Sequence, residues 1–173
     1  MQLAGVSVCS CGYRPAFAVP EPAENLSVAV APPLVAEVDA VRCALAGAQS
    51  ELSRFGALAG GPGYPRLLVE VTRVDEKAGG IAIAGPPDRP SLIPLARASR
   101  VGVAGRAWVE ESFGAEPSRD VGDVRRTEEY APLVDPRFEA LAHQRALCSA
   151  GSELGRALAR RVLGVPEPAM EPM

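Results

Sequence analysis

The chain has 173 residues with 17 Gly, 17 Pro, 4 Cys and 1 His, and 18 basic side chains stand against 21 acidic ones. That length suits about one domain and can bury enough surface to fold without a disulfide framework, and 47 % hydrophobic with 23 % charged residues is the make-up of a globular rather than a disordered chain. The net charge of −3 lacks the basic excess of a nucleic-acid binder, and a lone histidine without a cysteine pair at metal spacing gives no basis for a zinc site.

The N-terminus reads MQLAGVSVCSCGYRPAFAVPEP. It falls well short of the roughly 18 apolar residues of a membrane-spanning helix, and Met1-Gln2 supplies no basic n-region. Val8-Cys9-Ser10-Cys11 nevertheless fits a bacterial lipobox, with a branched aliphatic at −3, a small residue at −1 and Cys11 at +1. Cys9 fits worse, because Val8 would occupy its −1 position. Residues 1–11 are therefore read as a truncated lipoprotein signal with Cys11 as the site of lipid attachment. The competing reading is a plain N-terminal strand, LAGVSVCS, with incidental cysteines. Residues 12–25, rich in proline, form an extended tether.

The body of the chain, 26–164, is expected to fold as one α/β domain. Leu26, Val28 and Val30 alternate with small residues and stop at Pro32-Pro33, which makes a first strand. Leu34, Val38, Val41, Leu45, Leu52 and Phe55 recur at helical spacing, which predicts a helix over 34–55 ended by Gly56. On that wheel Cys43 lies about 200° from Val41 and Leu45 and points to solvent. A half-buried strand follows over 66–75, with Leu67, Val69 and Val71 on one face. Residues 76–98 carry four prolines and read as a long connection, a length usual for functional or mobile loops. With Ile81, Ile83, Leu92, Ile93 and Leu95 it is expected to fold back and cap the core, since apolar loop residues more often complete a core than form an exposed patch.

The strongest strand pattern is 99–113. Val101, Val103, Ala107 and Val109 share one face, and Arg100, Arg106, Trp108 and Glu110 the other. Trp108 is open to two readings, a cross-strand stacking partner or a platform for a ligand. Residues 119–130 are polar on both faces and suit an edge strand. Asp135 N-caps a final helix to about Leu163, with Pro136 at its first position. Its stripe is Leu147, Leu154, Leu158 and Val162, flanked by Gly151, Gly155 and Ala159, which permit close backbone approach. Arg145, Arg156 and Arg160 would be a solvated face. Residues 165–173 form a disordered tail. The order strand–helix–strand–strand–strand–helix predicts a two-layer α/β sandwich. In it, two helices lie on one face of a mixed four-stranded sheet, the first two strands parallel.

Nothing in the chain assembles into a catalytic constellation, so the reading is a non-enzyme without cofactor or metal. His143 has Glu139 four residues earlier, as in a surface pair. Ser27, Ser50, Ser112 and Ser118 lack a nucleophile-elbow setting, the adjacent pairs Glu110-Glu111 and Glu128-Glu129 point to opposite faces of a strand, and the glycine pairs at 60 and 79 lack the Lys-Ser/Thr of a phosphate loop.

The triplet Cys11-Gly12-Tyr13 at a lipobox, a Pro-rich tether and the order strand–helix–three strands–helix resemble the LPS-assembly lipoproteins, LptE. The likeness covers nearly the whole chain as architecture. The block GRAWVEESFG through RRTEEYA to the Ala/Arg-rich helix resembles the delta-proteobacterial version. The resemblance implies a palmitate-bearing lipoprotein on the periplasmic face of the outer membrane. There it would partner the β-barrel LptD, plug its lumen and help move lipopolysaccharide outward. Lipid contact would be local, with Arg106, Arg125, Arg126 and Trp108 as candidate ligand-binding residues; the competing reading of the arginines is edge-strand charge. Two alternatives stay open: a lipoprotein adaptor of another envelope complex, in peptidoglycan synthesis or secretion, and a cytoplasmic α/β protein.

For Cys43 and Cys148 the expectation is no bond. Parallel helices on one sheet put them at similar levels, about 14 and 20 Å along their helices. With Cys43 facing solvent, however, the Cβ vectors would not converge as a disulfide requires.

Overall fold

The computed structural model describes residues 25–32, 34–83, 94–131 and 135–166. The lipobox with Cys11, the tether up to residue 24 and the tail from 167 lie outside the described residues. The elements in chain order are β1 (Ser27–Val30), α1 (Val38–Arg54), β2 (Arg66–Ile83), β3 (Pro94–Glu110), β4 (Val124–Tyr130) and α2 (Pro136–Val162). They form a four-stranded sheet in the order β1-β2-β3-β4, with β1 parallel to β2 and the other pairs antiparallel. Both helices cover one face, so the sequence-derived architecture stands.

The alternation of the strands explains which face is covered. Leu67, Val69 and Val71 of β2, Val101, Val103, Ala107 and Val109 of β3, and Val124 of β4 are all buried against Leu52 of α1 and Leu147, Leu154 and Leu158 of α2. A register shift between Val71 and Arg73 marks a bulge at Thr72. One extra residue inverts the facing beyond it, so Val74 packs against the core and Asp75 turns to the open face.

Several boundaries differ from the sequence reading. Residues 76–83 and 94–98 are strand rather than connection: β2 runs on to Ile83 and β3 starts at Pro94, pairing Ala78 with Ser99 and Ile81 with Arg97, while the part of the expected cap over 84–93 lies outside the described residues. Gly79 and Gly80 sit in a register shift between Ala78 and Ile81, so they are absorbed as an irregularity instead of ending the strand. The edge strand begins at Val124, not 119. The preceding stretch touches β3 through a Val109–Ser118 bridge and then passes Arg119 and Gly122, both at positive φ.

The larger correction concerns α1. Its buried residues are Ala40, Cys43, Ala44, Gly47, Ala48, Glu51 and Leu52, whereas Leu34 and Val38, placed on the core face by their helical spacing, are 66 % and 74 % exposed. The helix turns its smallest side chains inward because its principal neighbour is α2, not the sheet. Asp39, Cys43 and Gly47, one turn apart, meet Gln144, Cys148 and Ser152 in the same order, so the helices run parallel. A Cβ at Gly47 would overlap the Ser152 carbonyl, one at Gly155 the Ala44 carbonyl, and one at Gly151 would come within 2.8 Å of the Ala40 carbonyl. At that separation Cys43, far from facing solvent, is bonded to Cys148 with Cα atoms 5.2 Å apart, inside the limit of about 7 Å for a disulfide. The expectation of two unpaired thiols is overturned by the same small-residue row that signals close approach on α2.

The bottom of the helix pair holds a buried ion pair. Glu51, 3 % exposed, accepts from Arg160 Nε at 2.5 Å and lies 3.6 Å from Arg54. Arg160 is thus a core-bordering partner, not part of a solvated face. Asp135 caps α2 as read, its carboxylate accepting from the Arg137 amide at 2.9 Å.

Candidate functional site

The uncovered face of the sheet holds three of the sequence-derived site residues, Arg106, Trp108 and Arg125. Register sets Arg66 opposite Glu110, Leu68 opposite Trp108 and Glu70 opposite Arg106. These neighbours pair as cross-strand geometry dictates. Arg66 Nε donates to Glu110 at 2.7 Å and Arg106 Nε to Glu70 at 2.5 Å. The Arg106 guanidinium also lies 5.3 Å from the centre of the Trp108 ring, a cation–π distance. Its cover leaves Glu70 only 7 % exposed although it belongs to the open face. Pairing with Glu70 holds Arg106 protonated more firmly than usual.

Arg125 reaches the same face from β4. It contacts Asp75 of β2 at 2.5 Å although β3 lies between the two strands. The crossing passes over Gly102, which pairs with Asp75 on one side and Thr127 on the other. A Cβ at Gly102 would stand 2.6 Å from the Arg125 guanidinium and 2.8 Å from the Asp75 carboxylate. The bare glycine leaves the pair a direct path, and a side chain there would push the two charged groups aside. Asp75 also accepts from Arg73 Nε at 2.8 Å. That bond, with the Arg125 charge beside it, holds the Asp75 carboxyl below the usual range against the opposing effect of partial burial.

Between these pairs lies an open depression of about 450 Å³, lined by Leu34, Thr72 and Ala104, by Arg73, Arg106 and Arg125, and by Glu70 and Asp123. Ala104, small and central on β3, makes the floor. The bulge at Thr72 gives the rim two consecutive side chains, Thr72 and Arg73. Three guanidiniums converge there, each already paired with a carboxylate. The arrangement can receive a polar or anionic group by exchanging partners, with Leu34 as an apolar wall.

Arg106, Trp108 and Arg125 are thus brought to one face. Arg126 is not: neighbouring residues of a strand point to opposite faces, so it takes the helix side with Val124. Sequence reading missed Glu70, Arg73, Asp75 and Gly102. Glu70 was legible as the mate of an opposite arginine only once register was known, and Asp75 only once the bulge was known.

A second cluster sits on the helix side. The Tyr130 hydroxyl donates to Glu76, the His143 Nε2 lies 3.7 Å from the other Glu76 oxygen, and the two rings meet edge to face at 5.7 Å. Burial first, and the Glu76 acceptor second, push the Tyr130 hydroxyl above its ordinary value. His143 is therefore the neighbour of Glu76, where Glu139 was expected. Among the described residues no His, Cys, Asp and Glu group could hold a metal ion, and no helix is long and apolar enough to cross a membrane.

No family model and no curated protein matches the chain. The fold does have relatives among solved structures. A minor lipoprotein from Acinetobacter baumannii aligns with a TM-score of 0.51 at 11 % identity over 82 % of this chain and 91 % of its own. A protein of Caulobacter crescentus assigned as a lipoprotein aligns with a TM-score of 0.49 at 13 % identity, over 79 % and 88 %. At such identities the likeness is one of fold.

Proposed function

We propose that the protein is a lipoprotein of the bacterial outer membrane, anchored on its periplasmic face through Cys11. In this reading it assists lipopolysaccharide transport and assembly as the partner of an LptD-like β-barrel. The observation that carries the reading is the Cys43–Cys148 bond between α1 and α2. Disulfides persist in oxidising compartments, the periplasm among them, and are rare in the cytosol. The bond therefore weighs against a cytoplasmic α/β protein and agrees with export through a lipobox.

The finer reading rests on the C-G-Y lipobox followed by this element order, and on the lipoprotein of Acinetobacter baumannii with the same fold. The open face supplies the chemistry that lipid handling needs. Arg73, Arg106 and Arg125 can hold phosphate or carboxylate groups, and Trp108 and Leu34 can lie against sugar or acyl surface. An overall acidic chain gains no long-range attraction to an anionic lipid, so recognition would be local to this face.

Two experiments test the proposal. Tagged protein recovered from detergent-extracted outer membrane is expected to bring a β-barrel with it; recovery of a peptidoglycan synthase or a secretion component would point instead to an adaptor of that complex. A palmitate analogue is expected to label the parent and Cys9→Ser but not Cys11→Ser. Label retained in Cys11→Ser removes the anchor.

A further inference from the structure

We propose that the end of the sheet where the tether joins β1 is a membrane-seating surface, with Phe113 and Tyr64 as its inserting side chains. Before a partner takes up the domain, this surface would stand it end-on on the phospholipid bilayer that carries the anchor. The inference rests on acylation at Cys11.

Ser27 of β1 pairs with Arg66 of β2, and Arg66 with Glu110 of β3. The chain leaving β1 through Asn25, the loop before β2 and the turn after β3 therefore lie at one end. Two exposed aromatic side chains are found in those connections: Phe113, 87 % exposed, and Tyr64, 40 % exposed. Both are held by one carboxylate. Glu110 accepts from Arg66, whose guanidinium lies 4.6 Å from the Tyr64 ring centre, and from the amide of Gly114, next to Phe113, at 2.9 Å. Gly114 has a φ of +73° and Ala115 donates to the Ser112 carbonyl, which closes a tight turn with Phe113 outward. A large apolar ring kept outward on a fixed turn is costly in water. Aromatic rings settle readily at the headgroup level of a bilayer.

Fourteen residue steps separate Cys11 from Asn25, at most about 50 Å of chain, and the tether enters the domain at this end, so an anchored chain keeps this end within that reach of the membrane. The exposed neighbours Glu111 and Glu116 fit a zwitterionic surface better than an anionic one. Seated this way, the domain leaves the depression over Ala104 and the start of both helices accessible.

The test uses the full acylated chain on phosphatidylcholine vesicles. One protein carries an environment-sensitive fluorophore at Gly61→Cys, an open position in the loop before β2 with no neighbour within 4 Å of an added Cβ. A second carries it at Val38→Cys, at the far end. The Gly61 probe is expected to shift to the blue and brighten on vesicles, and to lose that response in the Phe113→Ser background. The Val38 probe should stay aqueous in both. A Gly61 probe that stays aqueous, or that responds equally with Phe113→Ser, overturns the proposal. Failure of the protein to float with the vesicles would instead count against acylation. The same comparison, run on the chain held to nickel-chelating lipid by a hexahistidine in place of residues 1–11, then decides the seating by itself.

Discussion

Ala44 of α1 and Gly155 of α2 meet backbone to backbone, with no room for a methyl group on Gly155 beside the Ala44 carbonyl. One turn earlier Gly151 approaches Ala40 in the same way, and across the pair Gly47 abuts the Ser152 carbonyl. Gly155→Ala is therefore expected to destabilise the fold by about 1–3 kcal/mol, the range for overpacked sites, although alanine favours a helix by about 1 kcal/mol over glycine. Gly61→Ala, in open space, should change stability by less than about 0.5 kcal/mol. Urea unfolding of the two variants beside the parent checks both. A Gly155→Ala protein as stable as the parent would mean that the helices sit farther apart.

The disulfide fastens this contact. It closes a loop of 105 residues, for which the chain-entropy relation gives about 4.7 kcal/mol and measured bonds commonly about 2–4 kcal/mol. The native protein is expected to show neither Cys43 nor Cys148 reacting with a maleimide until a reductant is added. The double variant Cys43→Ser, Cys148→Ser should then melt well below the parent. A free thiol at Cys43 in oxidised protein would restore the helix facing read from the sequence.

The strands, the helix α2 and the sheet order were legible because period-two alternation and the Asp135-Pro136 start are local signals with one physical cause each. The facing of α1 was not. Leu34, Val38 and Leu45 form a convincing apolar stripe, yet helix–helix approach is limited by the smallest side chains, and Ala40, Ala44, Gly47 and Ala48 carry little weight in a pattern scored by size. Arg106 and Trp108 were placed on the open face by alternation alone, and that holds. Asp75 and its link to Arg125 were hidden because a bulge inverts facing without leaving a residue signature in VEVTRVDEK. Substitution separates the two sets: Leu154→Asp is expected to abolish folding by burying a charge in the core, whereas Val38→Asp should melt within a few degrees of the parent.

Glu51 and Arg160 form the other link between the helices. Arg160 is 19 % exposed and Glu51 4 % exposed at their side chains, so removing either partner strands a charge that water hardly reaches. Glu51→Ala is expected to cost about 3 kcal/mol, at the lower edge of values for broken buried pairs, since Arg160 keeps some solvent. Replacement of both by Leu should recover much of the loss, because the pair's desolvation cost goes with it. Guanidinium unfolding of the single and double variants gives the comparison; a single variant as stable as the double would show that Arg160 swings out to water unaided.

Acid should weaken the open face first. The Arg73 hydrogen bond holds the Asp75 carboxyl low, and the hydrogen bond from Arg66, followed by that from the Gly114 amide, does the same for Glu110. A carboxylate whose value is lower folded than unfolded adds stability above its unfolded value, about 3.9 for Asp and 4.3 for Glu. That stability drains away as pH falls through the folded value. The protein is thus expected to keep its stability from neutrality down to about pH 5 and to lose it progressively below about pH 4. Arg66→Gln should raise the Glu110 midpoint and Arg73→Gln that of Asp75, and each should flatten the fall in stability between pH 5 and 3. Carbon-13 NMR of the two carboxyl groups reads the midpoints directly. Values at or above the ordinary ones in the parent would mean that these arginines are solvated rather than paired, and the ordered rim of the depression would be lost with them.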